Sequence, residues 1–433
     1  MGPEPFLDAM STHPDFNMVI GGRAYDPAPY VAFSVFHACQ TSGKTSLTDA
    51  HIGGFTHMGK IMECGALCAT PKAKSSMATV YVDGSFDIKP LDVGSRCTPA
   101  SVASHTLYEK SRPDVLAGPG GSLDLRGTRY EQMPDRVSVH VKGATFNWLR
   151  EDGAPYTVKL EAAKVKGFRT IFMGGVRDPI MIKQIDNALE RIKEHVKKQN
   201  KNIQGEWDIG FHVYGSNGIM GSLEPGDLEY LPREVFIVGE VLAPTQTAAN
   251  TIASSARVGL VHGSYPGQRG TGGNLAMGIG GKMEIEMGPC AEFCVYHLMD
   301  LAAGTEGARE IFNSQEDTMS GGNGPLFSWR LKQIGKALPE VSNGHVPARP
   351  GQVPVKTIVA VPKILPQITK YPLPKLQLTA STTLAEIAPV IRSKNSGPYD
   401  ITLDVVFSSL SVYNIIKKSD LLSRATIARL YHL

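Results

Sequence analysis

FRTIFMGGVRDPIMIKQIDNALERIKEHV, residues 168–196, holds the passage that decides the fold. The run 168–173 is apolar and β-rich and reads as a strand, with Gly174 and Gly175 expected to break it. Asp178 followed by Pro179 then caps a helix, and Ile182, Ile185, Leu189, Ile192 and Val196 recur at helical spacing on one face. Working outward, 209–214 alternates as a strand and 235–241 gives another. Residues 245–257 have the small-residue composition of a packed helix, and 259–262 reads as a further short strand. Strands alternating with helices imply an α/β layer over about 155–275.

The flanks read differently. Before residue 150, short apolar runs such as 16–20 and 79–82 alternate with turns rich in Gly, Pro and Asp, with a strand expected at 137–141. Beyond 313 the composition turns polar and glycine-rich, and eight prolines fall between Pro339 and Pro374. That stretch reads as a linker. A compact tail follows, with a helix expected at 382–393, a strand at 401–407 and one or two helices within 412–430. The expected fold class is therefore α/β: a mixed α/β core over 1–312, a Gly/Pro-rich linker over 313–374, and a small α+β domain over 375–433.

Composition narrows the functional classes. The 433 residues are 42% hydrophobic and 20% charged, which is ordinary for a folded chain with a sizeable core. Net charge is only +3, and no basic run is interleaved with aromatic residues, so nucleic acid is not an expected partner. The amino terminus has neither a basic start nor an apolar stretch, and no segment reaches membrane-spanning length. A cytoplasmic protein without a membrane partner is expected, and a homo-oligomer. Six cysteines without a secretion signal point to free thiols. None forms a CxxC pair, which argues against structural zinc. Cys64, Cys68 and Cys97 leave open an iron–sulfur cluster of the kind a hydro-lyase uses, with buried thiols as the plain alternative.

The densest chemistry lies in GSRCTPASVASHTLYEKSRPDVLAGPGGSLDL, residues 94–125. Thr98 and Pro99 begin a helix, and at helical spacing Ser101, His105 and Glu109 share a face. His105 then serves as an acid or base oriented by Glu109, with Cys97 as a second candidate; the alternative is the wet side of an amphipathic helix. Arg96, Gly120 and Gly121 flank that helix as candidate substrate contacts. THMGKIMECGA, residues 56–66, places His57, Lys60, Glu63 and Cys64 within two turns if helical. A Lys or His beside the Cys64 thiol lowers its pKa, unless Ile61, Met62 and Cys64 simply face a core.

Two loops suit an anion. GSYPGQRGTGGN, residues 263–274, presents Gln268, Arg269, Gly272, Gly273 and Asn274 with five glycines and a single cation. It matches neither a Walker loop nor a dinucleotide fingerprint. Arg177 stands just before the Asp178 helix start, where free NH groups favour negative charge; a plain strand-to-helix turn reads equally from these residues. His212 and Tyr214 would share a strand face, and 290–297 reads as strand or helix, the strand placing Glu292 beside Cys290 and Cys294.

Together GGRAYDPAPY (21–30), HMGKIMECGA (57–66), RCTPASVASHTLYEKSRPDVLAGPGG (96–121), FMGGVRDP, FHVYG, APTQTAAN and SYPGQ resemble the acyclic terpene utilisation (AtuA-like) family over roughly residues 1–300. The tail, with IRSKNSGPYDITLDVVF, resembles the small domain of unknown function that accompanies that family and is similar to its ferredoxin-like C-terminal domain. The resemblance implies catabolism of branched or unsaturated carboxylic acids through their CoA thioesters. It also implies that an N-terminal α/β segment of the family precedes the region present here, and that the small domain stops before a final strand. The expected activity is hydration, dehydration or isomerisation of a small unsaturated carboxylate or its CoA ester. The alternatives are a non-catalytic subunit whose tail docks an acyl-CoA carboxylase or transferase, and a metal-dependent hydro-lyase. The cofactor is left unknown.

Overall fold

The computed structural model describes residues 1–42, 47–224, 231–270, 273–276, 281–311, 324–335, 379, 382–396, 400–407 and 409–431. The chain is a mixed α/β protein of two compact units, 1–158 with 300–422, and 159–299 with 423–433.

The first unit opens with helices α1 (Glu4–Thr12), α2 (Ala28–Ser42) and α3 (Asp49–Met62), followed by strands β1 (Ser76–Val80) and β2 (Phe86–Pro90). Next come α4 (Pro99–Thr106), β3 (Val115–Gly118), β4 (Gly121–Asp124), β5 (Arg129–Gln132), β6 (Val139–Lys142) and β7 (Thr145–Trp148). Strands β1-β2-β6-β5 form one antiparallel sheet and β3-β4-β7 another. Met58 and Ile61 of α3 pack with Phe86, Ile88, Val102, Val139 and Val141 in one core cluster. Close approach explains a glycine in α3: a Cβ on Gly54 would stand 1.8 Å from the Gly84 carbonyl oxygen. Thr98 caps α4 as expected, its Oγ1 accepting from Ser101 N at 3.1 Å while Ser101 Oγ accepts from Thr98 N at 2.9 Å.

The second unit is built on strand β8 (Tyr156–Val176), α5 (Pro179–Ile182), α6 (Ile185–Gln199), β9 (Asp208–Tyr214), β10 (Val235–Ala243), α7 (Gln246–His262) and β11 (Ile285–Leu301). Sheet order is β11-β8-β10-β9. Because β8 and β9 are each antiparallel to β10 between them, they run parallel to one another, joined by α5 and α6 across the intervening strand. That is a split β-α-β connection. Ile182, Ile185, Leu189, Ile192 and Val196 are all buried against the sheet, as their spacing predicts. Gly174 and Gly175 do not break β8. A Cβ on Gly174 would meet Leu275 at 2.4 Å, and Gly175 exchanges backbone hydrogen bonds with Ala276, so these glycines admit a neighbouring chain instead of a turn. The strand expected at 259–262 is the last turn of α7, whose Leu260 and Val261 face the core; a run of four residues fits either period. Residues 290–297 are strand.

Beyond β11 the described residues form a parallel pair, β12 (Ala308–Glu310) with β13 (Phe327–Trp329). They resume with α8 (Leu384–Ile387), β14 (Val390–Ser396), β15 (Asp400–Val406), α9 (Leu410–Lys418) and α10 (Arg424–Tyr431). The helix expected at 382–393 is only α8, since Pro389 disfavours helix at the residue before it and the chain then pairs as β14 with β15. Most of the expected linker lies outside the described residues. Among the described residues no helix is long and apolar enough to cross a membrane.

Candidate functional site

The end of α3 carries a charge pair that composition alone would place in water. Lys60 Nζ bonds Glu63 Oε1, and the two side chains are only 4% and 5% exposed. Three residues separate them, so the helical turn and its continuation bring them together. Burial raises the Glu63 pKa above the usual carboxylate value against the opposing pull of Lys60, with Asp26 adding to the rise. Burial likewise raises Tyr25, reinforced by Glu63 and Asp26, so its phenol stays protonated. Burial, then Glu63 and Cys64, raise Tyr30, which donates to the Met62 carbonyl at 3.2 Å.

The end of α4 meets this pair from another side. Lys60 Nζ lies 5.4 Å from the centroid of the Tyr108 ring, and His105 stacks on that ring at 5.9 Å with 14° between planes. A hydrogen bond to Glu109, with burial, pushes the Tyr108 hydroxyl up to about 12. His105 is buried, and its Nε2 has no hydrogen-bond partner among the described residues. Burial first, then the cations Arg392, Lys60, Lys72 and Lys394, lower its pKa to about 4, so the ring is neutral at pH 7. His57 is wholly buried; its Nε2 lies 3.0 Å from Thr106 Oγ1 and 3.3 Å from the Tyr130 hydroxyl, and desolvation lowers its pKa to about 3.

Several expectations are corrected here. Helix α4 ends at Thr106, and Glu109 adopts φ 57°, so Ser101, His105 and Glu109 do not share a helical face. Glu109 instead bonds Tyr108. Nor is His105 part of a wet face. The Cys64 pKa is raised, by burial and then by Glu63, which together outweigh the lowering by Lys60. Cys97 is buried in the core with its Sγ 3.7 Å from Cys68 Sγ; that contact first, then burial, raises its pKa. All six cysteines are free. Among the described residues no three His, Cys, Asp or Glu side chains gather to hold a metal, so Cys64, Cys68 and Cys97 do not form a cluster-binding set.

The remaining candidates lie elsewhere in the fold. Gly120, at φ +71°, makes the tight turn between β3 and β4, and a Cβ on Gly121 would meet the Asn147 carbonyl oxygen at 2.3 Å. Arg96 is exposed and pairs through its backbone with Thr70. In the second unit, Arg177 is exposed and bonds Glu234 at 3.3 Å. Gln268 donates to Asn274, whose amide in turn donates to the Leu260 and Gly263 carbonyls, pinning the loop internally. Gly273 packs near Val261, Arg269 is exposed, and Gly272 lies outside the described residues. Glu292 pairs with Lys164 and Lys166, and Arg169 donates to Cys290 Sγ at 3.2 Å.

Spacing in the sequence did not single out Tyr25, Asp26, Tyr30 or Tyr108. They lie in the segments GGRAYDPAPY and SHTLYEK, which approach the Lys60–Glu63 pair only in three dimensions. Tyr25, Asp26, Tyr30 and Glu63 line a cavity of about 370 Å³. Tyr30 and Pro29 also line an apolar cleft of about 710 Å³, walled by Phe33, Phe55, Met58 and Met62. Both volumes fall in the range of small-molecule sites, roughly 300–1,000 Å³.

The class these features define is a mixed α/β protein with a buried acid–base cluster beside an apolar cleft. The chain belongs to the acyclic terpene utilisation family: the model described as acyclic terpene utilisation family protein AtuA matches residues 1–279. A role in acyclic terpene utilisation comes with that membership. A domain of unknown function, DUF4387, matches residues 384–433. No curated protein and no solved structure matches the chain.

Proposed function

We propose that this protein moves a proton next to the carbonyl of a branched, unsaturated acyclic carboxylic acid or its CoA thioester, in a hydration, dehydration or isomerisation of the double bond. The observation that carries this reading is Glu63, a buried carboxyl of raised pKa that lines a cavity and is held by Lys60. A carboxyl whose pKa approaches the working pH exchanges a proton with a carbon acid more readily than an exposed one. Glu63 is the acid or base, Lys60 orients it, and the protonated phenol of Tyr25 donates to the developing oxyanion. The apolar cleft, which shares Pro29 and Tyr30 with the cavity as lining residues, takes the hydrocarbon chain, its methionines adapting to methyl branches.

The test is incubation of the protein with a panel of unsaturated branched acids and their CoA thioesters in D2O, with deuterium at the α and γ carbons and product formation read by NMR. Exchange or turnover by wild type, lost in Glu63→Gln with the fold intact, is expected. Unchanged turnover in Glu63→Gln removes that residue from the mechanism, and a wild type inert on the whole panel rejects the reading.

A further inference from the structure

Strand β14 places Arg392 and Lys394 two residues apart, on one face of the hairpin. Arg392 is held from its own domain, pairing in register with Asp404 and donating Nε to Asp404 Oδ2 at 2.8 Å. Its other arm leaves the hairpin: Nη2 donates to the Ser104 carbonyl at 2.5 Å. Ser104 lies in the last turn of α4, where the dipole is negative; its carbonyl already accepts from Leu107 N at 3.2 Å, so the guanidinium takes the oxygen's second lone pair and is favoured there by its charge. Lys394 continues the contact, its Nζ 4.4 Å from the centroid of the Tyr108 ring that Lys60 also approaches. Beside this clamp is a buried His105 Nε2 without a partner.

We propose that the C-terminal domain completes the candidate site: Arg392 and Lys394 are positioning residues that fix the end of α4 and the Tyr108 ring beside Lys60, and make that end of the site receptive to an anionic head group. The anion part of this inference rests on the function proposed above, whereas the clamp does not. The groups facing His105 are Lys60, Lys72, Arg392, Lys394 and the neutral Tyr108. All the cations disfavour a charged imidazole, so removing one relieves it. The arrangement gives the domain of unknown function a task within the same chain, supplying two side chains that residues 1–279 lack.

The experiment uses the full chain and the variants Lys394→Met, Arg392→Lys and Arg392→Ala, with ¹³C-labelled histidine and His105 assigned through His105→Gln. Lys394→Met and Arg392→Ala are each expected to raise the His105 titration midpoint by up to about one unit. Arg392→Lys restores the midpoint but not the two-armed bonding, so it leaves faster hydrogen exchange at the end of α4. Where turnover is measurable, the variants lose kcat/KM tenfold or more. A His105 titration and α4 exchange unchanged in all variants overturns the proposal. Should Arg392→Ala fail to fold, Lys394→Met carries the same readout, since the contact it removes is the one to the Tyr108 ring. An inert wild type defeats the proposed function, while the titration and exchange still decide the clamp.

Discussion

Lowering the pH should unfold the first unit through its two buried histidines, and His57→Gln should blunt that effect. The folded His57 pKa is about 3 and that of His105 about 4, both depressed from an ordinary 6.5. A depressed histidine contributes stability that is complete above the unfolded pKa and is lost as pH falls toward the folded one. The window therefore opens near pH 6.5 and reaches down to about 4 for His105 and about 3 for His57. At pH 5 each group has lost roughly 2 kcal/mol, from 1.36 kcal/mol per unit of pH below 6.5. Together that is a large share of a typical domain's roughly 5–15 kcal/mol. Gln at position 57 keeps a donor for Thr106 Oγ1 and removes the titration. Urea unfolding between pH 7.5 and 5, in a Trp207→Phe background so that Trp148 and Trp329 report, should show wild type losing about 2 kcal/mol more than the variant. Parallel profiles, or a His57 ring that titrates near 6.5 in the folded protein, would refute the assignment.

Lys60→Met or Glu63→Gln alone should cost about 3–5 kcal/mol, because each leaves a buried partner unsatisfied, while the double variant should cost far less than the sum. A chemical-denaturation double-mutant cycle reads this, and single costs under about 1 kcal/mol would mean that water solvates the pair. Gly54→Ala should destabilise the first unit by about 1–3 kcal/mol or more, since the new Cβ would stand 1.8 Å from the Gly84 carbonyl oxygen. Gly22→Ala, with nothing within 4 Å, should change the melting temperature little and serves as the control.

How much of this was legible in the sequence depends on the range of the interaction. The apolar face from Ile182 at the end of α5 to Val196 on α6 and the Thr98 cap follow from neighbours within two turns, and both are present. Lys60 and Glu63 were legible as an i, i+3 pair, but their burial was not, because it depends on Tyr25, Asp26 and Tyr108 closing over them. His105 looked solvent-facing on a helix extended to Glu109. The helix stops three residues earlier, and Glu109 takes a left-handed conformation that no spacing announces. Gly174 and Gly175 misled for a related reason: glycine marks either a turn or a close approach, and only the position of Leu275 and Ala276 distinguishes them. Arg392 at Ser104 is a contact across 288 residues, beyond any local pattern.

Stability alone does not explain the Lys60–Glu63 pair. Well-packed apolar side chains of similar volume at two sites this buried are often neutral or more stabilising than the ions, because both charges pay desolvation. Around the pair, His105 keeps a buried ring nitrogen without a partner, a cost of about 1–3 kcal/mol for such a group. Buried charge, a neutral imidazole and phenols held protonated are each unfavourable for packing and each useful for moving a proton at a carbonyl. Glu63, Tyr25 and Tyr30 stand at the wall of one cavity, with Lys60 bonded to Glu63, and that separates this region from the loop at Gln268 and Asn274, where the side-chain amides are tied to each other and to the backbone. Polar groups already bonded within their own loop stabilise it; polar groups buried with raised or lowered pKa at the wall of a cavity are those a substrate would satisfy.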